Sequence, residues 1–372
     1  MQEVSTLKTT KMWKHTDIVV LFITSRVLFF LIMILSGKPL SEILGAFDAV
    51  HYRDLAANGY DKGYLTAFFP VVPLLIRYTT EVGLLIVNNL CFLGSLFLLK
   101  ELTNGNKWML GMFALSPIGF FSMLLYTESI FVFLSIAAFY LFVKNKYPVL
   151  MGVAIGLSVL TRTTGALLFF AIFIGMCAMW LTKKTSFKNI VIAYIPATLI
   201  SLIFPIYLQV TLGSWKVFLD CQYDYWVKVK SNIVKTTIMS IKMIFTDAYP
   251  TIDFGDKLVS VINEVLSLIM LAAMLTFIIM VAVRIIKSHK LEIEDFTLAV
   301  YILLSLLIIN GTVRDPMLDT PTTSFYRYYF GIFAIFLMYR RSKTNVQQLA
   351  TILTVGISLM TSYVFCIGLF FY

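Results

Sequence analysis

The sequence predicts an all-α protein that crosses a lipid bilayer about eleven times, since a roughly 30 Å hydrocarbon core takes about 20 apolar residues per helical span. Three observations carry that expectation. The 372 residues are 59% hydrophobic and only 13% charged, and the mean hydropathy is +0.86. An aqueous domain needs about a quarter of its residues charged, so the solvent for most of this chain is not water. Runs such as 17–36, 190–212 and 259–283 are continuous and apolar, which excludes the alternating pattern of a transmembrane β-barrel.

Taken in order, the spans are expected at 17–36, 71–99, 108–125, 129–143, 148–160, 164–181, 190–211, 259–286, 294–311, 326–340 and 347–370. The first hydrophobic run starts late and lacks a small-residue cleavage box, so it reads as a retained span. Alternate connections collect Lys8, Lys11, Lys14, Lys100, Lys107, Lys144, Lys146, Lys183, Lys184, Lys188, Arg284, Lys287, Lys290, Arg340, Arg341 and Lys343. By the positive-inside rule these face the cytoplasm, with the N-terminus there and the C-terminus outside. The net charge of +10 is thus topological, and no basic and aromatic surface is left for nucleic acid. Cys91, Cys177, Cys221 and Cys366 show neither disulfide nor metal-site spacing.

The chain reads as one integral membrane domain, 1–372, whose long connections are all external: 37–70, 213–258 and 312–325. Within the second, 231–245 places Ile233, Val234, Ile238, Ile241, Ile244 and Phe245 on one side, as in a helix lying at a membrane interface or capping a cavity. Function is therefore expected on the extracytoplasmic face.

Residues 47–57 of the first connection, read as a helix, bring Asp48, His51, Tyr52 and Leu55 to one face by i, i+3 and i+4 spacing; Gly59 would end it. A carboxylate there can serve as a general base toward an attacking hydroxyl, or simply cap a helix. Asp48 with His51 or Asp54 offers a divalent-ion option, but the spacing is weakly specific and no metal is the expectation. Two tight turns contain Glu128 and Arg162, set either to face a cavity or to sit among headgroups. The last connection holds Arg314, Asp315 and Asp319, and the next span opens with Arg327 between tyrosines; a guanidinium at this depth suits a phosphate or snorkels. Arg26, in the middle of the first span, needs a partner such as Glu128 or a ligand phosphate. No phosphate-binding Gly-Lys-Ser/Thr loop, GxSxG elbow or HExxH motif occurs, which argues against ATP hydrolysis.

The stretch Phe47, Asp48, Ala49, His51, Tyr52, Leu55, Ala56, Gly59 and Tyr60, followed by Ala67, Phe68, Phe69, Pro70, Pro73 and Leu74, resembles the signature of the glycosylphosphatidylinositol mannosyltransferase 2 family, in the C-type glycosyltransferase superfamily. Phe47 stands where that family usually has tryptophan. Tyr126, Thr127, Glu128 and Ser129 resemble its acidic turn; Thr161, Arg162 and Gly165 its arginine turn, with Thr163 where proline is usual; Arg327 and Tyr328 its late arginine segment. The resemblance implies a C-type glycosyltransferase fold and transfer of a sugar, typically mannose, from a polyprenyl-phosphate donor to a lipid, glycan or protein acceptor, with inversion and without a cofactor. Asp48 maps onto the presumed base. We assign Arg327 as first choice for the donor phosphate, with Arg162 and Arg26 as helpers and His51, Tyr52, Asp54, Glu128 and Arg314 as further candidates. The competing expectations are a transferase for a non-mannose sugar, a transporter or flippase of lipid-linked sugars, and a scaffold.

Overall fold

The computed structural model describes residues 13–246, 254–317 and 320–369. Lys8, Lys11 and Asp319 lie outside the described residues, as does part of the 213–258 connection. The chain opens with α1 (His15–Leu35), which Asp17 starts by accepting from the Lys14 backbone N–H at 2.7 Å. Two short helices, α2 (Leu40–Leu44) and α3 (Asp48–Asn58), and a 3₁₀ turn at Gly63–Ala67 precede α4 (Val71–Leu102). Then come α5 (Lys107–Ala114), α6 (Pro117–Phe121), α7 (Glu128–Lys144), α8 (Pro148–Thr161), α9 (Gly165–Leu181), α10 (Phe187–Ser201) and α11 (Ile203–Leu212). After α12 (Val217–Asp224), β1 (Lys228–Lys230), α13 (Ile233–Thr246), α14 (Phe254–Ser288), α15 (Ile293–Ile309), β2 (Thr312–Arg314), α16 (Phe325–Gly331) and a 3₁₀ turn at Phe333–Phe336, the described chain closes with α17 (Thr344–Cys366).

The expectation of an all-α C-type fold with about eleven spans is corrected on two counts. Among the described residues only five helical segments are long and apolar enough to cross a membrane: His15–Leu35, Val71–Leu102, Phe187–Leu212, Lys257–Ser288 and Thr344–Cys366. In addition, β1 and β2 form a small open two-stranded antiparallel sheet. The chain is a multi-pass membrane protein with fewer long helices than hydropathy suggests.

The physical reasons are local. Pro117 has no N–H to give the Phe113 carbonyl, which is taken instead by the Ser116 hydroxyl at 2.8 Å, so the run 108–125 breaks into α5 and α6. The run 326–340 breaks after Gly331 into α16 and a 3₁₀ turn, almost wholly buried. The runs at α7, α8, α9 and α15 give helices of 14–17 residues, about 21–26 Å at 1.5 Å per residue. Each buries more than half of its residues against protein, while side chains such as Leu150, Phe170 and Leu307 stay exposed. α7 buries eleven of its seventeen residues while α1 buries six of twenty-one, so α7 is a core helix and α1 turns most of its surface outward. Gly152 and Gly156 let α8 touch α10; a Cβ on Gly152 would stand 1.9 Å from the Ala193 carbonyl oxygen, the close approach that small residues four apart permit.

The three long connections assemble into one layer. Thr66 in the first donates its hydroxyl to the Val217 carbonyl at 3.2 Å, and the Trp226 indole N–H reaches the Tyr64 carbonyl at 3.3 Å. β1 from the second pairs with β2 from the third in the register Lys228 to Arg314, Val229 to Val313 and Lys230 to Thr312. In α13, Thr236, Ser240 and Met243 are buried while Val234, Ile238, Ile241 and Phe245 are exposed, an outward apolar stripe suited to a lipid interface.

Candidate functional site

Asp48 is the first residue of α3, and the geometry of that helix start is unusual. Phe47 before it has φ 52 and ψ −119, a conformation that costs an aromatic residue about 1–3 kcal/mol and survives only where its surroundings enforce it. The middle of α3 is clamped to α4. The Arg53 guanidinium grips Glu81 with two bonds of 2.7 and 2.8 Å, and Glu81 follows a break in α4 where Thr80 has φ 72. Gly59 ends α3 with φ 78. Ala49, Tyr52, Leu55 and Ala56 form the buried side, which leaves Asp48 at its rim.

From Asp48 an alternating line of charges runs inward. Its Oδ2 accepts from Arg327 Nη1 at 2.6 Å; Arg327 Nε reaches Glu128 Oε1 at 2.5 Å; the same oxygen accepts from Arg162 Nη1 at 2.5 Å. Arg162 also donates to the Thr127 hydroxyl at 3.1 Å. The side chain of Asp48 is 25% exposed and that of Glu128 is fully enclosed, so the line is open at the Asp48 end. Its members come from α3, α16, the start of α7 and the turn after α8. Two negative and two positive groups cancel, without which burial of any one would be prohibitive.

Aromatic rings and buried amides hold this line. Arg327 sits over Tyr126 at 4.7 Å and Phe121 at 5.4 Å. The Tyr126 hydroxyl donates to the Ala46 carbonyl at 3.0 Å, tying the acidic turn to the residue just before Phe47. The Asn88 amide on α4 gives its two hydrogens to the Leu124 and Tyr126 carbonyls, and the Ser129 hydroxyl donates to the Asn88 carbonyl. On the other side, α16 starts from Ser324 in the left-handed region, φ 70. That turn is held by α14, where the Asn263 amide donates to the Thr322 carbonyl at 3.0 Å and Glu264 accepts from the Thr322 N–H at 3.2 Å. Asn88, Asn263 and Glu264 escaped sequence reasoning because a polar residue inside an apolar run gives no hint of which distant carbonyl it meets.

The other sequence candidates fall elsewhere. Arg26 does not meet Glu128. It donates to Asn89, to the Ser122 hydroxyl and to the Gly119 carbonyl, and lies 4.4 Å over Phe92; among the described residues it has no carboxylate partner. It joins α1 and α4 to the end of α6, because its guanidinium finds neutral acceptors there in place of an acid. Asp54 faces away from Arg327 and is paired with Lys62 at 2.7 Å while accepting from Asn58 at 2.7 Å, which holds its carboxyl below the usual range. His51 packs against Phe68, Trp226 and Tyr64 with ring separations of 4.8, 5.6 and 5.7 Å. Burial lowers its pKa, with Asp48 and Asp54 pulling the other way. Tyr52 is buried beneath Phe68 at 5.2 Å. Arg314 lies over Trp226 at 5.7 Å. Among the described residues no group of three or more His, Cys, Asp or Glu gathers at metal-binding distance.

No family model matches this chain, and no curated protein matches it.

Proposed function

We propose that this protein is a membrane-embedded glycosyltransferase that moves a sugar, mannose in the first instance, from a polyprenyl-phosphate donor to an acceptor hydroxyl on the extracytoplasmic face. One observation carries the reading. Asp48, Glu128, Arg162 and Arg327, which bear the resemblance to glycosylphosphatidylinositol mannosyltransferases and lie up to 279 positions apart in the chain, converge in a single ion line.

The chemistry assigned to these groups is one inverting displacement. The acceptor oxygen bonds to the anomeric carbon as the bond from that carbon to the phosphate oxygen breaks, and the phosphate leaves with the electron pair. The acceptor proton passes to Asp48. Arg327 holds Asp48 Oδ2 and thereby aims the carboxylate, leaving Oδ1 for the proton. Glu128 balances Arg327 so that the guanidinium does not have to draw a second anion from the site. The departing phosphate carries nearly full charge and calls for cations more than for a proton donor. In this reading Arg327, expected from sequence to meet that phosphate, acts as a positioning residue because two carboxylates already share it.

The test is reconstitution of the full chain in lipid vesicles with polyprenyl-phosphate mannose and, in parallel, the glucose and galactose analogues. Release of carrier phosphate with sugar gained by an acceptor is expected, fastest with mannose. Passage of the intact lipid-linked sugar between leaflets, with no carrier released, would replace the transferase by a flippase.

A further inference from the structure

We propose that Glu264 is the single carboxylate of a buried sodium site formed by α13, α14 and the turn that opens α16. The inference stands apart from the transferase reading.

Asn263 and Glu264 are neighbours on α14, and both reach one residue of that turn: Glu264 Oε1 accepts from the Thr322 N–H at 3.2 Å, and the Asn263 amide donates to the Thr322 carbonyl at 3.0 Å. Ser267 lies on the same face of α14 by i+3 and i+4 spacing. From α13 the Ser240 hydroxyl faces the Glu264 carboxyl, as does the Thr322 hydroxyl from the turn. These groups are sealed from solvent: Glu264 and Ser240 are 0% exposed, Ser267 2% and Asn263 4%. Four of their oxygens, Glu264 Oε2, Asn263 Oδ1, Ser240 Oγ and Ser267 Oγ, are buried without a hydrogen-bond partner.

An unpaired buried oxygen is costly, and four gathered at one place call for an occupant that serves them together. That occupant is a cation. The carboxylate and the amide oxygen can only accept, and the hydroxyls offer lone pairs. The groups that act on the Glu264 carboxyl are hydroxyls and a backbone N–H, and among the described residues it forms no ion pair. One carboxylate then selects the charge: a monovalent ion leaves the pocket neutral, whereas a divalent ion leaves a positive charge buried without a counterion. A proton is the rival occupant. It turns Oε2 into a donor and pairs one acceptor, so two of the four oxygens stay orphaned. Hard oxygen ligands with a single negative charge fit sodium. No cluster of acids or histidines marks the place, because three of the four ligands are neutral.

The site lies behind the ion line. Thr322 belongs to the turn that leads through Ser324 into α16, the helix that carries Arg327. A bound ion ties α13 and α14 to that turn, and so fixes the start of the helix that holds Arg327 against Asp48 and Glu128. Sodium acts there through position, without touching either carboxylate of the line.

Equilibrium binding of radioactive sodium to the detergent-solubilised full chain tests this without any turnover, together with thermal unfolding in sodium chloride against choline chloride at equal ionic strength. Saturable binding is expected, with an unfolding temperature about 2 °C or more higher in saturating sodium. Glu264→Gln should abolish both the binding and the sodium-dependent rise while keeping the fold, because its amide oxygen can still accept from the Thr322 N–H. Ser240→Ala and Ser267→Ala should each weaken binding about tenfold, the loss of one contact. Asp220→Asn, on the exposed side of α12, should leave it unchanged. Equal unfolding temperatures in sodium and choline with no sodium bound would overturn the inference, as would wild-type binding in Glu264→Gln. A rise produced by calcium in place of sodium would overturn the monovalent assignment, and stability that follows pH but not sodium would give the pocket to a proton. Should Glu264→Gln fail to fold, the two serine variants decide, and wild-type sodium affinity in both would overturn the inference.

Discussion

Two ion networks in this molecule are built differently, and the first gathers at the start of α15. At its start, Asp295 accepts from Arg284 at 2.7 Å, Arg340 at 2.5 Å and Arg341 at 2.8 Å, and Glu292 and Glu294 add second partners for Arg341 and Arg340. The other is the line from Asp48 through Arg327 and Glu128 to Arg162. The first network is redundant and largely wet: Arg341 and Glu292 are 45% and 39% exposed, and only Asp295 is buried. Each member of the second has one or two partners, and Glu128 has no contact with water. A redundant, hydrated cluster staples helix ends. A single-file buried line with one open terminus has no spare partners, so each member constrains the geometry of the next.

The sharpest way to break this contrast is Asp48→Asn. Turnover is expected to fall by about 10²–10⁴-fold, the range for loss of a general base, with the unfolding temperature close to wild type because the amide oxygen can still accept from Arg327. Retained turnover would remove Asp48 from the chemistry. Next comes Glu128→Gln, which keeps an amide oxygen as acceptor but removes the buried negative charge that Arg162 and Arg327 share. A loss of about 3–5 kcal/mol in unfolding free energy is expected for a broken buried pair. Asp295→Asn is its counterpart in the redundant network. Glu292 and Glu294 remain, so about 1–3 kcal/mol is expected, with turnover per folded molecule unchanged. Equal losses from the two variants would erase the distinction. Arg341→Ala, at a half-exposed pair, should cost under about 1 kcal/mol.

The smallest effect is a pH dependence at His51. Its folded pKa is depressed by burial against Phe68, Tyr64 and Trp226, so the unfolded chain takes up the proton first as pH falls. Stability is then full above the unfolded value of about 6.5 and declines below it. Thermal unfolding of His51→Phe at pH 5 and pH 7.5 should show a smaller difference between the two pH values than wild type does. An unchanged difference would place the pH response elsewhere.

How much of this was readable in advance differs by feature. The helix Asp48–Asn58 and its glycine stop are local: a few residues set the caps and the periodicity, and neighbours in sequence are neighbours in space. The clustering of Glu128 with Arg162 and Arg327 was reachable only through the resemblance, because nothing in the spacing of 128, 162 and 327 specifies contact. Arg26 illustrates the opposite error. A buried arginine demands acceptors, and sequence suggested an acid, yet backbone and side-chain oxygens of Gly119, Ser122 and Asn89 satisfy it. The pairing of Lys228 with Arg314 gave no signal, since local spacing does not specify a register partner 86 positions away.

Composition alone determined that the chain dissolves in a bilayer, because transfer of apolar side chains from water depends on what they are and not on where they end up. The order of residues set individual helix ends at Asp17 and Gly59, whereas the break at Pro117 fell inside a run expected as one span, 108–125. Only the tertiary structure decided which apolar helices face lipid and which are sheathed by others, and which charges neutralise one another. Both depend on neighbours brought together by folding. Hydropathy reports the cost of leaving water and is blind to whether lipid or protein receives the side chain, which is why about eleven expected spans resolved, among the described residues, into five helices long and apolar enough to cross a membrane beside shorter ones such as the largely buried α7.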